Sequence, residues 1–358
     1  MQDLKHIDKE LAKLAQVRYR YDIINPINRQ EEEKKFFVAK SKYNPQFTYN
    51  HYNVKPLIEE LLALHIETNT SMGKLFEEVR EDLLEEARAL DNIGTDNFIV
   101  KKMFGALSNE ELEEVNKTLE RGLKNRQPKE EDTSQLFPAT ELGKRIETVL
   151  KHYKLDDWNI VYSELALART SVTKDTKTIT IKADELFTNK DMQKLIVHEI
   201  ETHVLRWHNG TKQPYNIFNI GIRDYLTVEE GMAEYNEAMQ GVGITNPKFS
   251  SAILALATHL GKTKGFADIY QTIRPYVGSD EIGFQMVTRV KRGLGDTSKP
   301  GGYLKDHAYF RGYLQIREFV KSGGKVKDLY AGKITINNLH LLKEGILEQP
   351  ELLPEFLK

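Results

Sequence analysis

The sequence predicts an α+β fold that is predominantly α-helical, with a small antiparallel sheet and an N-terminal helical region. Apolar residues recur at three- and four-residue spacing over most of the chain, the period of a helix face. Strict alternation of β-branched residues is confined to one stretch, TKTITIKAD at 176–184. No internal repeat or low-complexity tract points to a solenoid. At 358 residues and 40% hydrophobic, the chain can bury a sizeable core, as one large domain or two smaller ones.

Residues 2–16 place Leu4, Ile7, Leu11 and Leu14 on one face of an amphipathic helix. A polar stretch follows, and KYNPQFTYN (42–50) is extended because Pro45 disfavours helical backbone at Asn44. From Lys55 to about Leu90 the helical period returns, with Pro56 suited to a first turn. Ser108 with Glu111 makes a capping box for a helix over 109–123. NRQPKEEDTSQ (125–135) is the most polar stretch, and the expected boundary between a helical region, 1–130, and a second part, 136–358. A helix near 139–153 leads into WNIVYSELALART and TKTITIKAD, joined by VTKD and read as an antiparallel hairpin or adjacent strands. A helix then runs from Asn189, its expected N-cap, to Trp207, and Asn209-Gly210 stops it. The remainder reads as helices over 227–240, 247–261, 264–274, 278–293, 306–321 and 336–346.

Composition excludes several chemistries. Lys plus Arg (51) nearly balances Asp plus Glu (53), so net charge argues for neither nucleic acid nor an acidic membrane, and neither is expected as partner. There is no cysteine, so thiol catalysis, disulfides and cysteine-held zinc are out, and a metal would need His, Asp or Glu. The first residues carry acidic groups and no apolar core of a secretory signal. The longest apolar run, Ala252–Ala257, falls far short of the ~18 residues of a membrane helix. The expectation is a soluble cytoplasmic protein.

The chemistry concentrates in LIVHEIETHVLRWHNG (195–210), which holds His198, Glu199, Glu201, His203 and His208. A catalytic zinc site needs protein ligands, an open position for water and a carboxylate to take that water's proton. In the H-E-x-x-H helix the two histidines are four apart and share a face. Here they are five apart, which on a regular helix separates them by about 140°. A π-bulge, closing i→i+5, would realign them, so the metal reading requires a widened turn over Ile200–Thr202. Two other readings compete: an ordinary core helix with solvated glutamates, and a Glu199–His203 pair at i, i+4 that leaves His198 spare. Downstream, LTVEEGMAEYNE (226–237) offers Glu229, Glu230, Glu234 and Glu237, with Gly231 and Ala233 small enough for a second helix to approach closely. Spacing alone does not choose among these glutamates, and a solvated acidic face accounts well for Glu229 or Glu237. YLKDHAYFRGYL (303–314) gathers Lys305, His307, Tyr309 and Arg311, donors suited to an oxyanion or a substrate carboxylate. A charged amphipathic helix explains the same residues.

HEIETHVLR, QPY (213–215), TVEEGMA and KDHAYFRG together resemble the H-E-x-x-x-H metallopeptidases that include the microtubule-associated tyrosine carboxypeptidases. Bacterial members are called QEGLA-motif proteins, and VEEGMA (228–233) is close to that label. FGALSNEEL (104–112) and NPQFTY (44–49) resemble the family's N-terminal half, so the likeness runs from about 40 to 320. The resemblance implies a zincin-like arrangement, the sheet beside a zinc-binding helix, within a catalytic domain over 136–358. It implies one Zn²⁺ per chain on His198, His203 and Glu230, with Glu199 as general base. Lys305, Asp306, Tyr309 and Gly312 match a family block near the site; Lys305, Tyr309 and Arg311 are the candidate substrate-binding residues. Two positions depart from the family: Glu201 stands where Gly is frequent, and Met232 where Leu is. The implied substrate is a peptide or protein C-terminus, cleaved by zinc-activated water; nothing in the sequence marks tubulin as the partner. The alternatives are a regulatory or binding protein with a structural or inactive metal site, and a hydrolase of a small amide.

Overall fold

The computed structural model describes residues 3–18, 20–98, 106–124, 135–164, 168–174, 176–242 and 247–358. It is predominantly helical with small sheets, an α+β protein as expected. The expected linker at 125–135 lies, apart from Gln135, outside the described residues.

The chain forms two compact units that interleave in sequence. One comprises Met1–Lys124, Tyr215–Asp224 and Lys248–Arg311; the other Asn125–Pro214, Tyr225–Pro247 and Gly312–Lys358. The sequence reading instead divides the chain once, between 130 and 136. The difference lies in contacts that bridge some 200 residues and leave no local signature. In the first unit the buried Asp8 carboxylate accepts from the amides of Asn216 (2.7 Å) and Ile217 (3.0 Å). Tyr49 OH donates to Leu294 O at 3.0 Å and accepts from Gly293 N at 2.8 Å. Phe36 sits edge-on to Phe266 and Tyr270.

Helix Leu4–Leu14 buries Ile7, Leu11 and Leu14, the face its spacing predicts. The helical pattern over 55–90 resolves into two helices, Lys55–Ala63 and Ser71–Asp91. Leu64 turns extended and Thr70 caps the second helix by accepting from Gly73 N at 3.0 Å. A Cβ at Gly73 would lie 2.0 Å from Glu67 O, so this entry needs glycine. The Ser108–Glu111 box is present: Glu111 N donates to Ser108 Oγ and Ser108 N to the Glu111 carboxylate.

In the second unit, strands β1 (Phe137–Pro138), β2 (Asn159–Ser163), β3 (Thr170–Thr173), β4 (Thr178–Lys182) and β5 (Leu186–Phe187) form two small sheets. β1 pairs antiparallel with β5. The larger sheet has order β2-β4-β3 and is mixed, not purely antiparallel: β2 runs parallel to β4 and β3 antiparallel to it. The segment read as one strand therefore separates, and Val172 and Thr173, expected in a turn, belong to β3. Their β-branched side chains suit a strand better than a turn. Central β4 buries Ile179 and Ile181 completely, against Leu142 and Ile146 of helix Ala139–His152. Ile200, Val204, Leu205, Val228, Met232 and Tyr330 belong to the same core.

The histidine helix begins one residue earlier than expected, at a Thr188 cap whose hydroxyl accepts from Asp191 N while the Asp191 carboxylate accepts from Thr188 N. Asn189 lacks an acidic residue three positions on; Thr188 has one, which decides the cap. α-Helical Asn189–Leu195 passes into π-helical Ile196–Val204 and returns to α-helix over Leu205–Thr211. Near the C-terminus the helix expected over 336–346 is reduced to a 3₁₀ turn, Ile336–Asn338, and a short helix, His340–Lys343. Among the described residues no helix is long and apolar enough to cross a membrane.

Candidate metal centre

The widened turn does what the five-residue spacing demands. Leu205 N–H bonds back to Ile200 O, five residues earlier, and the rings of His198 and His203 come to 4.8 Å between centroids at 84°. The widening is longer than a single bulge, since the whole of Ile196–Val204 is π-helical. Opposite the rings lies Glu230 of helix Tyr225–Met239: its Oε2 is 3.8 Å from His198 Nε2 and 3.7 Å from His203 Nε2. One ligand atom from each of the three lies within 4.8 Å of the others, the single such group among the described residues.

The donor set fits Zn²⁺. Two ligands about 2.0–2.1 Å from a tetrahedral zinc stand about 3.4 Å apart, close to the carboxylate–imidazole separations here and too long for hydrogen bonds. Both imidazoles present Nε2 because Nδ1 is engaged. His198 Nδ1–H donates to Glu237 Oε1 at 2.7 Å, and His203 Nδ1–H to Glu229 Oε1 at 3.1 Å. A carboxylate on the far nitrogen fixes the tautomer and raises the basicity of the near one. Glu229 and Glu237 are thus buried, 2% and 1% exposed, and not the solvated face the sequence suggested. Glu237 follows Glu230 by seven residues, two helical turns on the same face, which was the signal available in the sequence.

Four carboxylates, Glu199, Glu229, Glu230 and Glu237, surround the two imidazoles, and Lys174, Lys194 and Arg206 oppose them. Burial works to raise the Glu229 carboxyl, but Lys174, the fully buried Arg206 (Nη1 to Oε2, 2.6 Å) and His203 hold it well below the usual range. Arg206 also donates to Leu329 O and Ile334 O, so its guanidinium is pinned. Burial opposes ionisation of Glu237 too, and His198 and Lys194 outweigh it and hold its pKa down. For His198, burial disfavours the charged ring, yet the Glu237 bond and the charges of Glu237, Glu199 and Glu230 raise its pKa to about 10. Such surroundings select a cation, whether a proton or a metal.

Glu199 stands beside the group without joining it; its Oε1 accepts from Thr170 Oγ1 of β3 at 3.4 Å. The Glu199–His203 pairing that would leave His198 spare is therefore not the arrangement formed. Glu201 accepts from Tyr153 OH at 3.0 Å, and His208 Nε2 is 3.8 Å from Glu351, so neither joins the three donors. Gly231 does admit a close helix, and that helix is His307–Lys321: a Cβ on Gly231 would lie 2.2 Å from the Gly312 carbonyl carbon. Lys305, Tyr309 and Arg311 belong to the first unit. There the Lys305 ammonium lies 5.6 Å from the Tyr309 ring centre, and Arg311 is bound to the Glu111 carboxylate at 2.8 Å.

The fold is a mainly helical α+β protein in which a π-helical turn brings His198 and His203 together with Glu230. The chain belongs to the microtubule-associated tyrosine carboxypeptidase family, whose sequence model matches residues 34–358. It is 25% identical over 346 residues to a mouse protein named "Putative tyrosine carboxypeptidase MATCAP2", covering 93% of this chain and 58% of that one. With "Microtubule-associated tyrosine carboxypeptidase 1" it shares 28% identity in rat and 27% in human, each over 174 residues, 47% of this chain and 36% of the relative. The chain thus spans 58% or less of the length of these relatives.

Proposed function

We propose that the chain is a zinc-dependent carboxypeptidase that cleaves the last peptide bond of a peptide or protein. The observation that carries the reading is the convergence of His198, His203 and Glu230 with Glu199 adjacent, made possible by the π-helical turn. The carboxypeptidase name of the relatives supports cleavage at a C-terminus, and of a terminal tyrosine in particular. β3, an edge of its sheet among the described residues, supports an extended peptide over a small amide, since an edge can pair with one more strand.

His198, His203 and Glu230 would hold the ion. When bound, zinc supplies Lewis-acid activation of water and of the scissile carbonyl. Glu199 takes the proton of the attacking water on its carboxylate and passes one to the leaving amine nitrogen. Glu237 and Glu229 hold Nδ1 of each imidazole and leave Nε2 facing Glu230, where it would bind the ion. Thr170 orients the Glu199 carboxylate from β3.

The test pairs metal analysis with Glu199→Gln. Wild type is expected to carry about one zinc per chain and to cleave peptides ending in a free tyrosine carboxylate, with amidated counterparts inert. Glu199→Gln should keep its zinc and lose cleavage by about 10²–10⁴-fold. Metal-free wild type after growth and purification with zinc would sink the proposal. Zinc retained with no cleavage of any peptide would favour the alternative, a regulatory protein whose metal site is structural.

A further inference from the structure

We infer that Thr202, Asn236 and Tyr330 form a polar clamp that holds the π-helical turn open and thereby positions His198 and His203. Its consequence for metal binding rests on the zinc reading above; its geometry stands independently.

A π turn is rare in an otherwise α-helical run and needs compensation for its altered backbone bonding. In this segment two backbone carbonyls receive side-chain hydroxyls. Thr202 Oγ1 donates to Val197 O at 2.8 Å, and Tyr330 OH donates to Glu201 O at 2.9 Å. A threonine in an α-helix reaches back three or four residues. Thr202 reaches back five, to a carbonyl that the widened turn brings within range. Both hydroxyls then accept from one group, Asn236 Nδ2, at 2.9 Å each. An amide nitrogen carries two protons, and both are used; each hydroxyl accepts one bond and donates another. All three side chains are fully buried, so no water substitutes for a missing partner.

The positions gripped are informative. Val197 immediately precedes His198, and Thr202 immediately precedes His203. Asn236 immediately precedes Glu237, the partner of His198 Nδ1, on the helix that carries Glu230. The clamp thus fixes the backbone beside both histidines to the helix that brings the third donor. None of the three side chains contributes an atom to the His198–His203–Glu230 group. They are positioning residues.

Thr202→Val and Tyr330→Phe remove one hydroxyl each with little change of shape, and Thr202→Ser restores the hydroxyl at 202. Zinc affinity is measured by competition with a chelating dye, beside circular dichroism and thermal melting of the metal-free proteins. Thr202→Val and Tyr330→Phe are expected to fold and to bind zinc roughly 10- to 100-fold more weakly, with Thr202→Ser near wild type. In metal-free protein, amide exchange of residues 201–205 should speed up about tenfold in the same two variants. Should Thr202→Val fail to fold, Tyr330→Phe and Thr202→Ser decide the matter alone. Folded variants with wild-type zinc affinity and wild-type exchange overturn the clamp. If wild type itself binds no zinc, the peptidase reading falls, and the clamp is decided by exchange: acceleration supports it and unchanged rates end it.

Discussion

At the scale of single residues, the pair His198–Glu237 determines how the site responds to pH. The histidine pKa stands at about 10, above its ordinary 6.5, so in metal-free protein the ring is protonated at neutral pH. A folded-state pKa raised above the unfolded value stabilises the fold fully below 6.5, and that contribution disappears as pH rises through about 10. Metal-free wild type is expected to lose stability over this window, and Glu237→Gln to lose less, in urea unfolding across the range. On the proposed zinc reading, the ion displaces the same proton. Calorimetry in two buffers of different ionisation enthalpy should report release of about one proton per zinc at neutral pH. No release would show that His198 is already neutral before the metal arrives.

At the scale of elements, the π-helical segment was legible on the metal reading, because two imidazoles five residues apart share a face only on a widened turn. Its extent over Ile196–Val204 was not, because it depends on Asn236 and Tyr330, one on another helix and one on the 3₁₀ turn Val326–Ala331. The break at Leu64 was hidden because apolar spacing continues on both sides of it, while the Thr70 cap and the Gly73–Glu67 contact carry the local cost. The parallel β2–β4 pairing escaped because alternation reveals a strand and says nothing of its neighbour's direction. Glu230 is the donor next to Gly231, and that adjacency is mechanical. Gly231 and Gly312 meet backbone to backbone, and a Cβ on Gly312 would lie 1.8 Å from Thr227 O. Backbone atoms cannot yield as a flexible side chain does, so Gly231→Ala should cost about 1–3 kcal/mol or more in urea unfolding. Zinc affinity should fall with it, because the helix that must shift is the one that carries Glu230. Unchanged stability would show that the two helices separate at little cost.

At the scale of the whole molecule, composition sets a limit: a chain without cysteine can hold a metal only through His, Asp or Glu. The interleaving of the two units was invisible, since Asp8 with Asn216 and Tyr49 with Leu294 are bonds between distant polar residues with no period to reveal them. The group of His198, His203 and Glu230 repeats that logic on a smaller scale, bringing Ile196–Val204 and Tyr225–Met239 together through three side chains from two separate stretches of sequence. A ligand that binds only the folded state stabilises it by mass action, about 2.7 kcal/mol when free zinc exceeds its dissociation constant a hundredfold. For a chain of this length that corresponds to a rise in melting temperature of roughly 4 °C. Chelation should therefore lower the melting temperature of wild type, and added zinc should restore it. His203→Ala, which keeps the turn and removes one donor, should melt at the same temperature with and without zinc. Equal zinc-dependent shifts in wild type and His203→Ala would mean that the stabilising metal sits elsewhere on the chain.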